Sequence, residues 1–427
     1  MYLWDANGKR YLDFSGSAAV NFIGHGVPEI AAAMADQAKH LEFVHSSQFT
    51  TPIAEEYAQE VLNFAGKNFE GGCVYFTCGG SEAIETALKL ARQFQVEIGQ
   101  TWRHQIISRG QSYHGSTLGA LSVSGNKRRR EMYVPMVREF AHVAFPYCYR
   151  CAYDCTDGCR NCGQQYAAAL ESAIESANGE AAGFIFEPVS GATLGAVVPP
   201  PGYLQSVADI CRRHGVLLIA DEVMTGMGRT GRNFAVEHWD VAPDILVTAK
   251  GLSSGYAPLG AVLVKKRVAD AIANGSGAFL HGFTYNSHPI SLAAGKAVLK
   301  FLQREKLVEA ADSDRPGSTA AVLKAALENL KTLDVVGDVR GIGLLWGVEF
   351  VADKASKQPF APEVNFAGQV AQAVVKRGLL VYPMQGCVDG NAGDHLLLAP
   401  PAIITKEQIA WAVEQLSEAI TEASKQH

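Results

Sequence analysis

Two apolar runs end on groups that could do chemistry together. Val216-Leu217-Leu218-Ile219-Ala220 runs into Asp221 and Glu222, and Ile245-Leu246-Val247-Thr248-Ala249 runs into Lys250 and Gly251. An amine at the end of an apolar strand loses part of its hydration, which disfavours its charged form. A neutral amine condenses with an aldehyde to give a Schiff base. Pyridoxal phosphate is the common protein-bound aldehyde. Its ring works as an electron sink while its nitrogen stays protonated, a state that a buried carboxylate maintains. Lys250 and Asp221 are therefore the candidate catalytic pair. Val223, one alternation beyond Asp221, points to the same side and could press on a ring face. Taken singly, each group is explained as simply by a solvated charge at the end of a structural strand, so the pair needs company.

Other strand ends supply candidates. Cys73 to Thr77 reads as a strand, Cys78-Gly79-Gly80-Ser81 as a glycine turn, and Ile84, Ala87, Leu88 and Ala91 as the apolar face of a helix. Strand, glycine turn and helix N-terminus together make a cradle of bare N–H groups for a phosphate. Ile106-Ile107-Ser108 leads to Tyr113 and His114, and a tyrosine there can stack on a ring. Phe184-Ile185-Phe186 ends on Glu187, where Pro188 stops the ladder. Open α/β sheets bind ligands beyond the carboxyl ends of their strands.

DEVMTGMGRTG at 221–231, TAKGL at 248–252, GGSEA at 79–83, SYHGS at 112–116 and the Glu187-Pro188 pair resemble the signature of the class III, or omega, pyridoxal-phosphate-dependent aminotransferases. The resemblance runs from Leu12-Asp13-Phe14 to Leu398-Ala399-Pro400-Pro401. It implies an α/β fold of type I, with a large domain built on a mostly parallel sheet and a small α+β domain. The implied bounds are 1–45 and 305–427 for the small domain and 46–304 for the large one. It implies a homodimer with active sites at the interface. The implied roles place the cofactor phosphate on Gly80 and Ser81, the ring between Tyr113 and Val223, and Glu187 beside the ring substituents. His114 is expected to shape the loop. Residues 279–290 resemble a segment whose threonine reaches the partner's phosphate, which carries that role to Thr284, with the backbone of Phe283 beside it.

The resemblance also bears on the substrate. In the 4-aminobutyrate and acetylornithine branches, a glutamate gates an arginine that grips the substrate α-carboxylate. Those places fall here at Ala192 and near Leu396. Loss of both partners is coherent, because a lone buried charge is costly. The implied reaction is ping-pong transfer of an amino group from an ω-amino acid or amine to a keto acid, with pyruvate expected. Racemases, epimerases and aminomutases of the same family share these residues and remain an alternative. Arg340 is a candidate for a substrate carboxylate and equally a turn-stabilising arginine.

Composition narrows the class. The 427 residues are ample for a large core, and 48% hydrophobic with 19% charged is ordinary for a globular enzyme. A net charge of −6 implies no nucleic-acid or polybasic membrane partner. Lys127-Arg128-Arg129-Arg130 reads as a solvated helix end. No apolar run approaches membrane-spanning length, and Met1 to Asp5 carries no signal-peptide pattern, so a cytoplasmic location is expected. The chain opens with almost no leader, so the wall that a leading segment usually lends the site is expected to be reduced or supplied otherwise. Of the 9 cysteines, Cys148, Cys151, Cys155, Cys159 and Cys162 cluster. Their Cys-x-x-Cys pairs are a zinc-like signal, set against a loop reading with Pro146, Gly158 and Gly163 and reduced thiols. No metal is expected.

Overall fold

The structure, a computed structural model, describes residues 1–153, 159 and 161–427. Cys155 and Gly158 of the cysteine-rich loop lie outside the described residues.

The chain opens with β1 (Tyr2–Trp4) and β2 (Arg10–Asp13), an antiparallel pair. Seven strands then build the central sheet: β3 (Cys73–Thr77), β4 (Gln105–Arg109), β5 (His142–Val143), β6 (Ala181–Phe186), β7 (Leu217–Asp221), β8 (Ile245–Thr248) and β9 (Gly260–Val264). Their order is β3-β9-β8-β7-β6-β4-β5. Neighbours from β8 to β5 pair in parallel, and β9 runs against both β8 and β3.

Every residue of β6, β7, β8 and β9 is buried. Unbroken apolar runs are what a parallel sheet covered on both faces requires. The alternation is visible in the packing. Ile219, Ile245, Val247 and Val262 meet the helix Gly80–Glu97 and the helix Lys266–Asn274. Phe184, Leu218, Ala220 and Leu246 meet the helices Cys162–Ser176 and Tyr203–His214 on the other face. The latter helix stops at Gly215, whose φ of 65° lets its N–H turn back to Arg212 and Cys211.

The last third forms a second sheet from β10 (Val336–Ile342), β11 (Leu345–Phe350), β13 (Tyr382–Gln385) and β14 (Asp394–Leu398), antiparallel throughout in the order β10-β11-β14-β13. The helices Phe366–Lys376 and Lys406–Ser424 pack on it. Between them β12 (Leu379–Leu380) pairs in parallel with β2, so the first residues of the chain join a three-stranded sheet with the last third. Ahead of the second sheet lies a Ser318-capped helix, Thr319–Glu328, continued by a 3₁₀ turn, Asn329–Thr332.

From Gly16 to Ala19 the backbone makes a left-handed turn, with φ of 56°, 50°, 62° and 61°. Asp13 holds it. Its carboxylate accepts the Ser15 hydroxyl at 2.9 Å, the Ser17 N–H at 3.2 Å and the Ser17 hydroxyl at 3.1 Å, and faces His25 Nε2 at 2.9 Å.

Candidate active site

The carboxyl ends of β4, β6, β7 and β8 and the start of the helix Gly80–Glu97 open on one cavity of ≈ 460 Å³. Gly80, Ser81, Tyr113, His114, Glu187, Asp221, Val223 and Lys250 all line it. Phe283 and Thr284 do not. They line a separate cavity with Val44, Thr51 and Tyr75.

Lys250 follows β8 with a φ of 41°, in the left-handed region where a side-chain-bearing residue is strained. As a whole the residue is half-buried, because it borders the cavity, but its Nζ is enclosed and donates to the Ala18 carbonyl at 3.2 Å. Burial lowers its pKa to about 8, with Asp221 and Glu187 pulling the other way. The left-handed turn at 16–19 is thus the floor beneath the amine.

Asp221 ends β7. Its Oδ1 accepts the Val223 N–H at 3.1 Å and its Oδ2 stands 2.7 Å from His114 Nδ1. His114 Nε2 is buried without a partner among the described residues, so Nδ1 carries the proton and donates to the carboxylate. The Ser124 hydroxyl accepts the His114 N–H at 2.8 Å and fixes the backbone there. His114 therefore does more than shape a loop: it aims Asp221.

Glu187 accepts the Gly191 N–H at 2.9 Å on Oε1 and the Tyr113 N–H at 3.4 Å on Oε2, and burial pushes its carboxyl up. Beneath it lies a residue that sequence reading passed over. Arg109 closes β4, is fully buried, donates to the Glu187 backbone carbonyl, and stacks 4.1 Å from the Phe145 ring centre. The one available signal was an arginine ending an apolar strand.

The helix Gly80–Glu97 starts at Gly79 without a side-chain cap, so its first N–H groups face the cavity unmatched. Glu82 Oε2 accepts the Cys78 N–H at 2.9 Å, and Ser81 Oγ accepts the Ser116 N–H at 3.0 Å, which ties the Tyr113 loop to the cradle. A Cβ on Gly80 would stand 3.2 Å and 3.3 Å from the methyls of Val223, so the glycine keeps this corner open.

The family profile for aminotransferase class-III matches residues 1–420. The chain belongs to the class III aminotransferases. The uncharacterised aminotransferase YodT of Bacillus subtilis is 39% identical, over 99% of this chain and 94% of that protein. A thermostable (S)-enantioselective omega-transaminase from Thermomicrobium roseum superposes with a TM-score of 0.90 at 37% identity, covering 99% of this chain and 90% of the other. An amine transaminase from an uncultivated Pseudomonas species, solved in its PLP-bound form, superposes with a TM-score of 0.91 at 34% identity, covering 99% and 93%.

The cofactor of this aminotransferase is pyridoxal phosphate, and the cavity fits it. An uncapped helix start suits the phosphate, an enclosed amine of lowered pKa suits the aldehyde, and a carboxylate aimed by His114 suits the ring nitrogen.

The substrate side of the aminotransferase cavity corrects several expectations. In β14, Leu396 turns into the main core, and Leu397 joins Ala192, Val189 and Ala399 with Met224, Tyr382 and Met384 around them. In the region expected near Leu396, it is Leu397 that stands beside Ala192. His395 Nε2 donates to the Ala192 carbonyl at 2.7 Å, and burial lowers its pKa to about 3, so it stays neutral. Arg340 is not free for a substrate. It donates to the carbonyls of Leu194 and Gly195 and pairs with Glu349 at 2.7 Å and Asp338 at 3.0 Å. It is the turn-stabilising arginine of the two readings.

Arg129 also departs from the solvated helix end. Lys127–Arg130 is a single turn capped by Asn126, and Lys127 and Arg128 are exposed. Arg129 is half-buried, with its guanidinium 4.3 Å over the Tyr113 ring. No carboxylate pairs with it among the described residues, and its charge helps to lower the Lys250 pKa. No helix among the described residues is long and apolar enough to cross a membrane.

Proposed function

We propose that this aminotransferase moves an amino group from an ω-amino acid or amine to a small keto acid, pyruvate being preferred, with the two substrates using one site in turn and so giving ping-pong kinetics. The observation that carries this reading is the apolar flank of the cavity, Val189 and Met224, together with Tyr113, whose ring carries the Arg129 guanidinium at 4.3 Å. An apolar wall favours an amine donor without a second carboxylate, and a planar guanidinium matches one carboxylate well. Solved neighbours named as omega- or amine transaminases support the amine donor.

When bound, pyridoxal phosphate supplies the aldehyde that takes up the amino group and a ring that draws electrons from the C–H bond being broken. The N–H groups of Gly80 and Ser81, at the uncapped helix start, would hold its phosphate. Tyr113 and Val223, on the cavity wall, would flank its ring, and Glu187 would lie beside its substituents. Asp221, aimed by His114, keeps a proton on the ring nitrogen. Lys250 Nζ would hold the cofactor and, once free of it, is the base that would take the proton from the substrate carbon and return it. An amine of pKa about 8 is well placed for both directions near neutral pH. Thr284, with the Phe283 backbone, serves the partner's site in a homodimer, which accounts for its place outside the Lys250 cavity.

The test is a screen of amine donors against pyruvate and 2-oxoglutarate, with borohydride trapping and peptide mapping of the cofactor adduct. The expected result is faster turnover with pyruvate and an adduct at Lys250. Faster turnover with 2-oxoglutarate overturns the acceptor, and an adduct elsewhere overturns the site.

A further inference from the structure

Among the described residues the cysteine-rich loop does not line the Lys250 cavity, yet its thiols converge. The Sγ atoms of Cys148, Cys159 and Cys162 lie within 4.8 Å of one another. They come from both ends of the loop. Cys148 begins the 3₁₀ turn Cys148–Arg150, and Cys162 begins the helix Cys162–Ser176 and is buried. Cys159 Sγ points to the Cys148 carbonyl at 3.9 Å, and Cys162 Sγ donates to the Cys159 carbonyl at 3.4 Å. Cys151 follows the turn, and its Sγ accepts the Tyr166 hydroxyl at 3.6 Å. The same hydroxyl accepts the Ala152 N–H at 2.9 Å, which holds Cys151 against this helix.

We propose that Cys148, Cys151, Cys159 and Cys162 bind one zinc ion as a structural tetrathiolate site. The chemistry of the set favours zinc. Two Cys-x-x-Cys pairs are the ligand spacing of closed zinc sites. Four thiolates around zinc, at about 2.3 Å each, stand roughly 3.8 Å apart, so a small contraction of the three-thiol cluster and a turn of Cys151 Sγ from the Tyr166 hydroxyl toward it complete the shell. The sequence between the pairs, Ala152-Tyr153-Asp154-Cys155-Thr156-Asp157-Gly158, offers little with which to build a core of its own. On binding, four thiols release four protons to water, four Zn–S bonds form, and no electron moves.

The site would fasten a bolt between the two sheets. Tyr147 and Arg150, at the loop's start, both bond Glu349 of β11, Arg150 Nε at 2.6 Å, and Lys357 Nζ donates to the Tyr149 carbonyl at 2.8 Å.

The experiment is metal analysis of the full, cofactor-loaded enzyme, prepared under reducing conditions without a metal-affinity tag. The expected result is a single zinc per chain, lost in Cys148→Ser and Cys162→Ser and kept in Cys211→Ser, whose thiol is buried away from the cluster. Cobalt replacing zinc in the unaltered enzyme is expected to give thiolate charge-transfer and tetrahedral ligand-field bands, a readout that stands if the serine variants do not fold. Protein prepared with added zinc that still holds far less than one per chain overturns the proposal. So does iron with an iron–sulfur absorbance, or a disulfide within the cluster found by mass spectrometry.

Discussion

A catalytic amine held near a pKa of about 8 burdens the cofactor-free fold, and the sign of that burden can be worked out. An unfolded lysine titrates at about 10.4, so between the two values the unfolded chain binds the extra proton and stability rises with pH. Below pH 8 the full penalty applies, and above about 10.4 it is gone. Lys250→Met should therefore stabilise the cofactor-free protein at pH 7 by on the order of 2 kcal/mol and leave it unchanged at pH 10.5, as read by urea unfolding at both values. Equal stability at pH 7 would mean that the amine is well solvated. Arg129 belongs to the same scale. With its charge removed in Arg129→Met, KM for pyruvate should rise by about tenfold, the equivalent of ~1.4 kcal/mol. The half-reaction with an uncharged amine donor should change little. An equal loss in both half-reactions, measured separately, would make Arg129 a structural support for Tyr113.

Elements explain what could be read in advance. Asp221, Lys250 and Glu187 were visible because each ends an unbroken apolar run, and such runs survive into strands that are buried on both faces. Arg129 was hidden because one turn of helix has too little periodicity to show which of four basic side chains faces inward. Which side of β14 faces the Ala192 cluster depends on its pairing with β11 and β13, which no local pattern reports. The pairing of β2 with β12 joins residues far apart in the chain and was equally unreadable. Arg340 shows how one side chain fixes an element. Arg340→Leu leaves the carbonyls of Leu194 and Gly195 and part of the Glu349 charge unmatched, and should destabilise the protein by roughly 3 kcal/mol. The segment from Gly191 to Val197 should loosen with it, so KM for the amine donor should rise at temperatures where the fold remains intact. Thermal melts and donor titration on one preparation check both.

At the scale of the molecule, the separation of Thr284 from Lys250 makes subunit exchange informative. Chains carrying Lys250→Ala and chains carrying Thr284→Asp should each be poorly active. Co-expressed, they should regain activity, because a mixed dimer then has one site with both native groups. No recovery in dimers shown to be mixed would place Thr284 outside the partner's site. The floor under the amine has a different consequence. Residues 17–19 are held left-handed by Asp13 at a cost of about 1 kcal/mol each, and the Ala18 carbonyl they present is the one Lys250 touches. A wound spring thus lies under the reactive nitrogen, and its latch is Asp13, clasped by His25. Loosening that latch would be felt in catalysis although it touches none of the reacting groups.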